Sequence, residues 1–277
     1  KGERGYRHKQ AHKKARQRIN RAGKPLKFKD ELLVRVGELL CLDWSPEQIM
    51  LHLRQHGLSI SHERIYQHIW ADKQAGGRLY LHLRQSHKKY RKRRTGKELR
   101  GQIPNRTGIE ERPIDADDRK QAGHWEGDTI IGKAHKGALV SLVERTSRMT
   151  LIAAVPSKNA DEVTNAVITL LAPYKQQVRS ITFDNGKEFA HHETIAQHLD
   201  AGIFFCRPYH SWERGTNENT NGLLRQYFPK ERQLLNIQQD ELDEAMRRLN
   251  NRPRKVLGNK TPNQVFSLIY PDVALDC

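Results

Sequence analysis

The sequence is short of cysteine, of long apolar runs and, over its first part, of acid. Its 277 residues hold three cysteines, Cys41, Cys206 and Cys277. They lie too far apart for a disulfide framework or a paired Cys/His zinc site, and they suit a reducing compartment. No apolar stretch approaches the roughly 20 residues that a membrane-spanning helix needs, and no lipid-anchoring pattern is present. A membrane is therefore not the expected partner. The chain opens on Lys1 with no apolar leader behind it, which reads as the interior of a longer protein.

Acid is scarce where base is plentiful. Residues 1 to 112 hold 28 Lys/Arg against 11 Asp/Glu, and the rest of the chain holds 21 of each, so the whole formal charge of +17 belongs to the front. Clustered Lys/Arg gain free energy by releasing counterions from phosphates. A basic front and a neutral back thus predict a polyanion-binding region tethered to a catalytic domain, with nucleic acid as partner. The first 29 residues, with 12 Lys/Arg and one acid, read as an extended or weakly helical arm. A second basic run, Lys88 to Arg100, holds eight Lys/Arg opposed by Glu98 alone; Lys88, Lys89, Arg91, Lys92, Arg93 and Arg94 in it are predicted to track a DNA backbone.

Between these runs the pattern is helical. Leu32, Leu33, Val36, Leu39 and Leu40 recur at the spacing of one helix face. Ser45-Pro46-Glu47-Gln48 supplies a capping hydroxyl, a proline at the first helical position and a Gln at the third, opening a second helix that ends near Gly57. Ser61 caps a third, with Ile65 and Ile69 inward and His62, Glu63, Arg64 and Gln67 on faces free to contact DNA. Three helices in this order predict a helix-turn-helix domain, although such bundles also occur without DNA. Pro104, Gly108, Pro113 and the acids Asp115, Asp117 and Asp118 discourage regular structure between Gly101 and Ala122, and the domain boundary belongs there. The expected division is a basic arm (1–27), a helix-turn-helix domain (28–85), a basic linker (86–118) and a catalytic domain (119–277).

In the last part, strands are predicted at 126–131, 138–143 and 150–155, then a helix opened by the capping box Asn159-Ala160-Asp161-Glu162. A strand at 178–183, a short helix near 194–199, a strand at 203–206 and a further helix follow. That order is an α/β sheet of the ribonuclease H type, with carboxylates on its first and fourth strands, here Asp128 and Asp184. The strand period of two sets His124, Glu126, Asp128 and Ile130 on one face, making Glu126 a neighbour of Asp128. Glu218 follows Asp184 after 33 intervening residues, and Arg225 lies two helical turns beyond it on the same face. Glu213 and Glu188 compete with it as a third carboxylate, and spacing does not decide among them. Carboxylates suit Mg²⁺, a hard ion that favours oxygen ligands. Two such ions roughly 3.5 to 4 Å apart can hold both the attacking and the leaving oxygen of a phosphodiester displacement.

Three blocks carry a family resemblance: Gly123-His124-Trp125-Glu126-Gly127-Asp128-Thr129-Ile130-Ile131-Gly132, then Phe183-Asp184-Asn185-Gly186-Lys187-Glu188-Phe189, then Pro208-Tyr209-His210-Ser211-Trp212-Glu213-Arg214-Gly215-Thr216-Asn217-Glu218-Asn219. Together with Ile103-Pro104-Asn105-Arg106 in the linker, they closely resemble the transposases of the insertion sequence thirty family. The resemblance implies a ribonuclease-H-like (integrase-like) catalytic domain behind the all-α unit, and an Asp, Asp, Glu triad at Asp128, Asp184 and Glu218. It favours Glu218 over Glu213. It also implies Mg²⁺ or Mn²⁺, two ions per site, with Arg225 as a catalytic auxiliary in place of a Lys, and Arg106 and Arg214 as DNA contacts. Ser211 stands where relatives carry Tyr. The expected activity is that of a DNA transposase that binds the terminal inverted repeats of a mobile element and cleaves and transfers strands. Its expected partners are the element's double-stranded ends and the target DNA, bound as a homodimer, in the bacterial cytoplasm at the nucleoid. A non-catalytic sequence-specific DNA-binding regulator is the alternative, and it leaves the three carboxylates to coincidence.

Overall fold

The computed structural model describes residues 8–21, 30–84, 103–207, 210–271 and 273. The basic arm is more regular than expected. His8–Arg21 forms a helix, α1, free of Pro and Gly, and none of its described side chains is buried. Helices α2 (Asp30–Cys41), α3 (Pro46–Gln55) and α4 (His62–Gln74) pack around Val36, Leu39, Leu40, Trp44, Ile49, Leu53, Ile60, Ile65 and Ile69. Burying each such side chain contributes about 1.5–3 kcal/mol, enough to hold a small unit together. Ser45 and Gln48 form the full capping box, and the Ser61 hydroxyl accepts from the Arg64 amide. A short 3-10 turn at Leu79–His82 folds back, and Leu79, Tyr80 and Leu83 rest on the same core.

The segment assigned to irregular linker also holds structure. A five-residue helix, α5 (Ile114–Asp118), forms there. Gly108 bridges Phe205 in parallel, with the Phe205 amide donating to Thr107 O at 2.9 Å. The acids Asp115, Asp117 and Asp118 lie in α5 and remain exposed to solvent, with Asp117 paired to Arg112, whose side chain is buried.

The sheet comprises β1 (His124–Ile131), β2 (Ala138–Glu144), β3 (Thr150–Val155), β4 (Ser180–Phe183) and β5 (Gly202–Phe205), in the order β3-β2-β1-β4-β5. β1, β2 and β3 are antiparallel neighbours, whereas β4 and β5 run parallel to β1. This mixed sheet is ribonuclease-H-like. Helix α6 (Ala160–Leu171) makes the crossover to β4, and α7 (His192–Leu199) makes the one to β5. The Asn159 side chain caps α6 through the Asp161 amide, but Glu162 reaches Ser157 instead of closing the expected capping box. One sheet face packs on α6 and α7 through Trp125, Val140, Leu142, Val163, Val167, Phe183 and Ile195. The other packs on α8 (Gly215–Leu224) and α9 (Gln239–Asn250) through Ile130, Leu139, Ile152, Leu223, Leu224 and Leu249. Helix α10 (Pro262–Ile269) adds Phe266 to the first of these cores.

The helical unit touches the sheet unit through polar contacts. Asp43, in the left-handed region at φ 60, receives His82 Nδ1 at 2.9 Å and Arg248 Nη1 at 2.9 Å. Gln48 Nε2 donates to Pro253 O at 2.7 Å, Lys255 pairs with Glu47, and Arg84 donates to Asn219 on α8. None of the described helices is long and apolar enough to cross a membrane.

Candidate active site

Asp128 lies on the central strand, where β1 outruns its paired stretch with β4; Asp184 immediately follows β4. Because the two strands are parallel neighbours in this register, both carboxylates arrive at the same level, just past the end of β4. Arg214 joins them: its Nη1 lies 3.5 Å from Asp128 Oδ2 and its Nη2 lies 3.5 Å from Asp184 Oδ2. Nη1 also donates to Gly127 O at 2.9 Å, which fixes the guanidinium against β1.

Each aspartate is oriented locally. Asp128 Oδ1 accepts from the Thr129 amide at 2.8 Å, and Asp184 Oδ1 accepts from the Gly186 amide at 2.9 Å. Burial pushes the Asp128 carboxyl above the usual carboxylate range; Arg214 opposes that rise and the charge of Asp184 adds to it. Burial acts against the charge of Arg214, yet Asp128 and Asp184 outweigh it and hold the guanidinium above its ordinary value.

Helix α8 forms the third wall. Thr216, Asn217, Thr220, Leu223 and Leu224 face the sheet, while Glu218, in the first turn, is exposed. One turn further on, Asn221 Nδ2 donates to Asp128 Oδ2 at 2.8 Å, and Asn221 Oδ1 accepts from Ser141 Oγ at 2.9 Å. Glu218 lies three positions before Asn221, a spacing that makes the two neighbours along α8. Among the described residues no three His, Cys, Asp or Glu side chains gather as a metal cluster. The structure joins Asp128 and Asp184 on one cation, and Glu218 is exposed on α8 outside that pair. Arg225, at the end of α8, donates to Ile131 O at 3.0 Å and Phe228 O at 3.3 Å, so its guanidinium ties the helix to the end of β1 and does not turn toward Glu218.

Of the other two candidate carboxylates, Glu213 accepts from the Arg207 amide at 2.9 Å. Glu188 lies closer to the centre. It accepts from Thr129 Oγ1 at 2.9 Å and pairs with Lys158. Burial raises its carboxyl, but the hydrogen bond and charge of Lys158, a backbone amide and the Thr129 hydroxyl together offset this and leave it below the usual range. A side chain at Gly186 would collide with both Glu188 Oε2 and Asp184 Oδ1, so glycine lets these two acids approach one turn.

Of the expected DNA contacts, His62, Glu63 and Gln67 are exposed along α4, and Arg64 bonds to Gln67 at 3.2 Å. Arg106 is exposed and bonds to Asn185, beside Asp184. Lys88, Lys89, Arg91, Lys92, Arg93 and Arg94 lie outside the described residues. Sequence reasoning passed over Asn221, Ser141 and Lys158. Asn221 carried a usable signal, its spacing of three from Glu218, whereas Ser141 and Lys158 are brought in by strand register and by the turn after β3.

Residues 118–211 match the family model of the integrase core domain. The transposase for insertion sequence element IS4351 of Bacteroides fragilis is 45% identical over 236 residues, covering 85% of this chain and 72% of that protein. Transposase InsI for insertion sequence element IS30A of Escherichia coli (strain K12) is 40% identical over 262 residues, or 90% of this chain and 68% of its own length. Among solved structures, the catalytic core domain of BIV integrase aligns with a TM-score of 0.40 and 22% identity, over 52% of this chain and 93% of that one. With identity of this degree spread over both the helical and the sheet units, the chain belongs to the IS30 family of insertion sequence transposases.

Proposed function

We propose that this transposase cleaves and transfers DNA strands at a site formed by Asp128, Asp184 and Glu218 around divalent metal ions. The observation that carries the reading is the sharing of one guanidinium by the two aspartates, an oxygen of each lying 3.5 Å from Arg214. Two carboxylates that converge on one positive charge provide the hard oxygen donors that Mg²⁺ or Mn²⁺ prefers. Glu218, one turn before the Asn221 that touches Asp128, is the third donor in this reading. When bound, a pair of such ions supplies an activated water or 3′-hydroxyl and stabilises the leaving oxygen.

The chain's own residues do the rest. Asn221 and the Thr129 amide fix the two oxygens of Asp128, and the Gly186 amide fixes Asp184. Arg214, charged and largely enclosed, is suited to a phosphate of the cleaved strand, as is Arg106 from the linker side. Arg225 acts indirectly in this reading, through the position of α8.

The remaining assignments follow the same division of labour. Residues 28–85 form a helix-turn-helix domain that reads the terminal inverted repeats with the exposed face of α4, and the arm 1–27 and linker 86–118 add phosphate contacts. Residues 119–277 form the catalytic domain. Two ends must be cut and joined, which calls for a homodimer on DNA, at work on the bacterial nucleoid. The test is a cleavage and strand-transfer assay on DNA bearing the element's ends, with the unmodified chain and Asp184→Asn, with and without Mg²⁺. Metal-dependent activity abolished by the substitution is expected. Activity that survives it, or that needs no divalent ion, overturns the reading.

A further inference from the structure

We propose that Glu126 is a positioning residue that clamps the start of helix α8, and so sets Glu218, from the middle of the sheet. Glu126 is fully buried on β1, two residues before Asp128. Its Oε1 receives Arg145 Nη1 at 2.6 Å, and its Oε2 receives the backbone amide of Asn217 at 2.9 Å. Asn217 is in the first turn of α8, and no side chain of its own flank caps that helix. The first amides of a helix have no partner within it, and the helix dipole favours a negative charge there. Glu126 therefore acts as a cap supplied by another element. Asn217 returns the contact: its Nδ2 donates to Glu126 O at 2.9 Å, while the residue is itself 1% exposed. Glu218 is the next residue, held to β1 by this two-way clamp at its N-terminal side.

A second link runs away from the site. Arg145 also donates through Nε to Ala116 O at 2.9 Å, and its Nη2 lies 3.7 Å from Asp117 Oδ1. Arg112 pairs with the same Asp117 and donates to Thr182 Oγ1 on β4 at 2.9 Å. A continuous polar path thus joins residues 112–118, ahead of the sheet, to α8 through Arg145 and Glu126. Stability alone does not account for it, because apolar residues of similar volume commonly stabilise as well as a buried ion pair. An apolar pair has no acceptor for the Asn217 amide, and that acceptor is what fixes the helix end.

The proposal rests on Glu218 being the third carboxylate, and the experiment separates the two claims. Glu126→Gln, Asn217→Ala and Glu218→Gln are compared with the parent for DNA affinity, single-turnover cleavage at saturating DNA, half-saturating Mg²⁺ and hydrogen exchange of residues 215–224 without metal or DNA. Glu126→Gln is expected to bind element-end DNA within twofold of the parent and to exchange faster at the start of α8. It should also need more Mg²⁺ and cleave roughly 10- to 100-fold more slowly, as for residues that orient metal ligands. Asn217→Ala removes the return contact from Nδ2 and leaves the amide cap and the Glu126–Arg145 pair in place, so it should shift the same readouts in the same direction but by less, and it decides the matter if Glu126→Gln does not fold. Unchanged exchange and cleavage in a folded variant overturn the proposal, and so does loss of the fold in both, which makes the clamp purely structural. Full activity of Glu218→Gln instead removes the reading of Glu218 on which the clamp depends.

Discussion

Asn221 donates to Asp128 Oδ2 at 2.8 Å, the same oxygen that faces Arg214, so one carboxylate oxygen is held between a neutral donor on α8 and a cation at the entrance to that helix. The amide is itself fixed, because its oxygen accepts from the fully buried Ser141. Asn221→Ala frees Asp128 to rotate without removing its charge. Cleavage is expected to fall about tenfold or more, with a higher Mg²⁺ requirement and little change in DNA affinity. Asn221→Asp sets a second negative charge against Asp128 and should be worse at every metal concentration. Titrating cleavage against Mg²⁺ for both variants checks the order, and an alanine variant with the parent's metal dependence rules out the orienting role.

Gly127 precedes Asp128, and a side chain there would overlap the ring of Phe183, the residue before Asp184. Phe183 is fully buried and stacked on Phe189 at 4.1 Å, so it has no space to yield. Gly127→Ala should lose about 1–3 kcal/mol of stability, the usual range for overpacking, and should impair cleavage by shifting both aspartates. Gly215, at the start of α8, is the contrast: nothing lies within 4 Å of a methyl group there, and Gly215→Ala should be neutral or stabilise by up to about 1 kcal/mol. Urea unfolding of the two variants measures both; equal effects would show that backbone freedom, not the Phe183 contact, governs Gly127.

The features legible in the sequence were those encoded by local periodicity. Ser45, Ser61 and the apolar stripe of α2 specify the helical unit within a few residues of each other, and the alternation in β1 places Asp128. Family likeness, rather than spacing, favoured Glu218 over Glu213. Pairings between distant residues stayed hidden. Arg145 with Glu126 and Arg112 with Thr182 leave no local mark in the sequence, and only the sheet brings these side chains together under cover. The linker shows the same limit: Pro104, Gly108 and Pro113 argue correctly against long elements, but the bridge from Gly108 to Phe205 depends on an edge strand nearly a hundred residues away.

Asp43 fastens the helical unit to the sheet unit. Its two oxygens are divided between His82 in its own unit and Arg248 on α9, and Arg248 Nη1 also donates to Cys41 O at 3.1 Å. The Asp43 and Arg248 side chains are 13% and 28% exposed, enclosed enough for the pair to exceed the small yield of a fully solvated ion pair. Asp43→Asn suits the test because Asn also tolerates the left-handed backbone at φ 60. A double-mutant cycle with Arg248→Met, read by denaturant unfolding, should give a coupling of about 0.5–3 kcal/mol. Zero coupling would mean that the two units are not fastened at this contact.

His124 gives the fold a pH dependence of definite sign. It lies at the start of β1, 2% exposed, with Nδ1 2.7 Å from Ser180 Oγ. Burial and the nearby Arg179, Arg145 and Arg112 push its pKa from 6.5 down to about 4, against a small opposing effect of Asp115. The unfolded chain therefore takes up the proton near 6.5, whereas the folded chain resists until about 4. Stability from the neutral ring is complete above the unfolded value, declines as pH falls between the two, and changes no further below the folded one. His124→Asn keeps a polar partner for Ser180 but cannot titrate. At pH 7 it should melt below the parent through lost packing, and the gap should narrow steadily as pH is lowered toward 4, because only the parent loses the contribution of its histidine. Melting both proteins across that range tests the shift, since carboxylates that titrate near its lower end are common to the two chains. A gap that stays constant would show that His124 protonates alike in the folded and unfolded states.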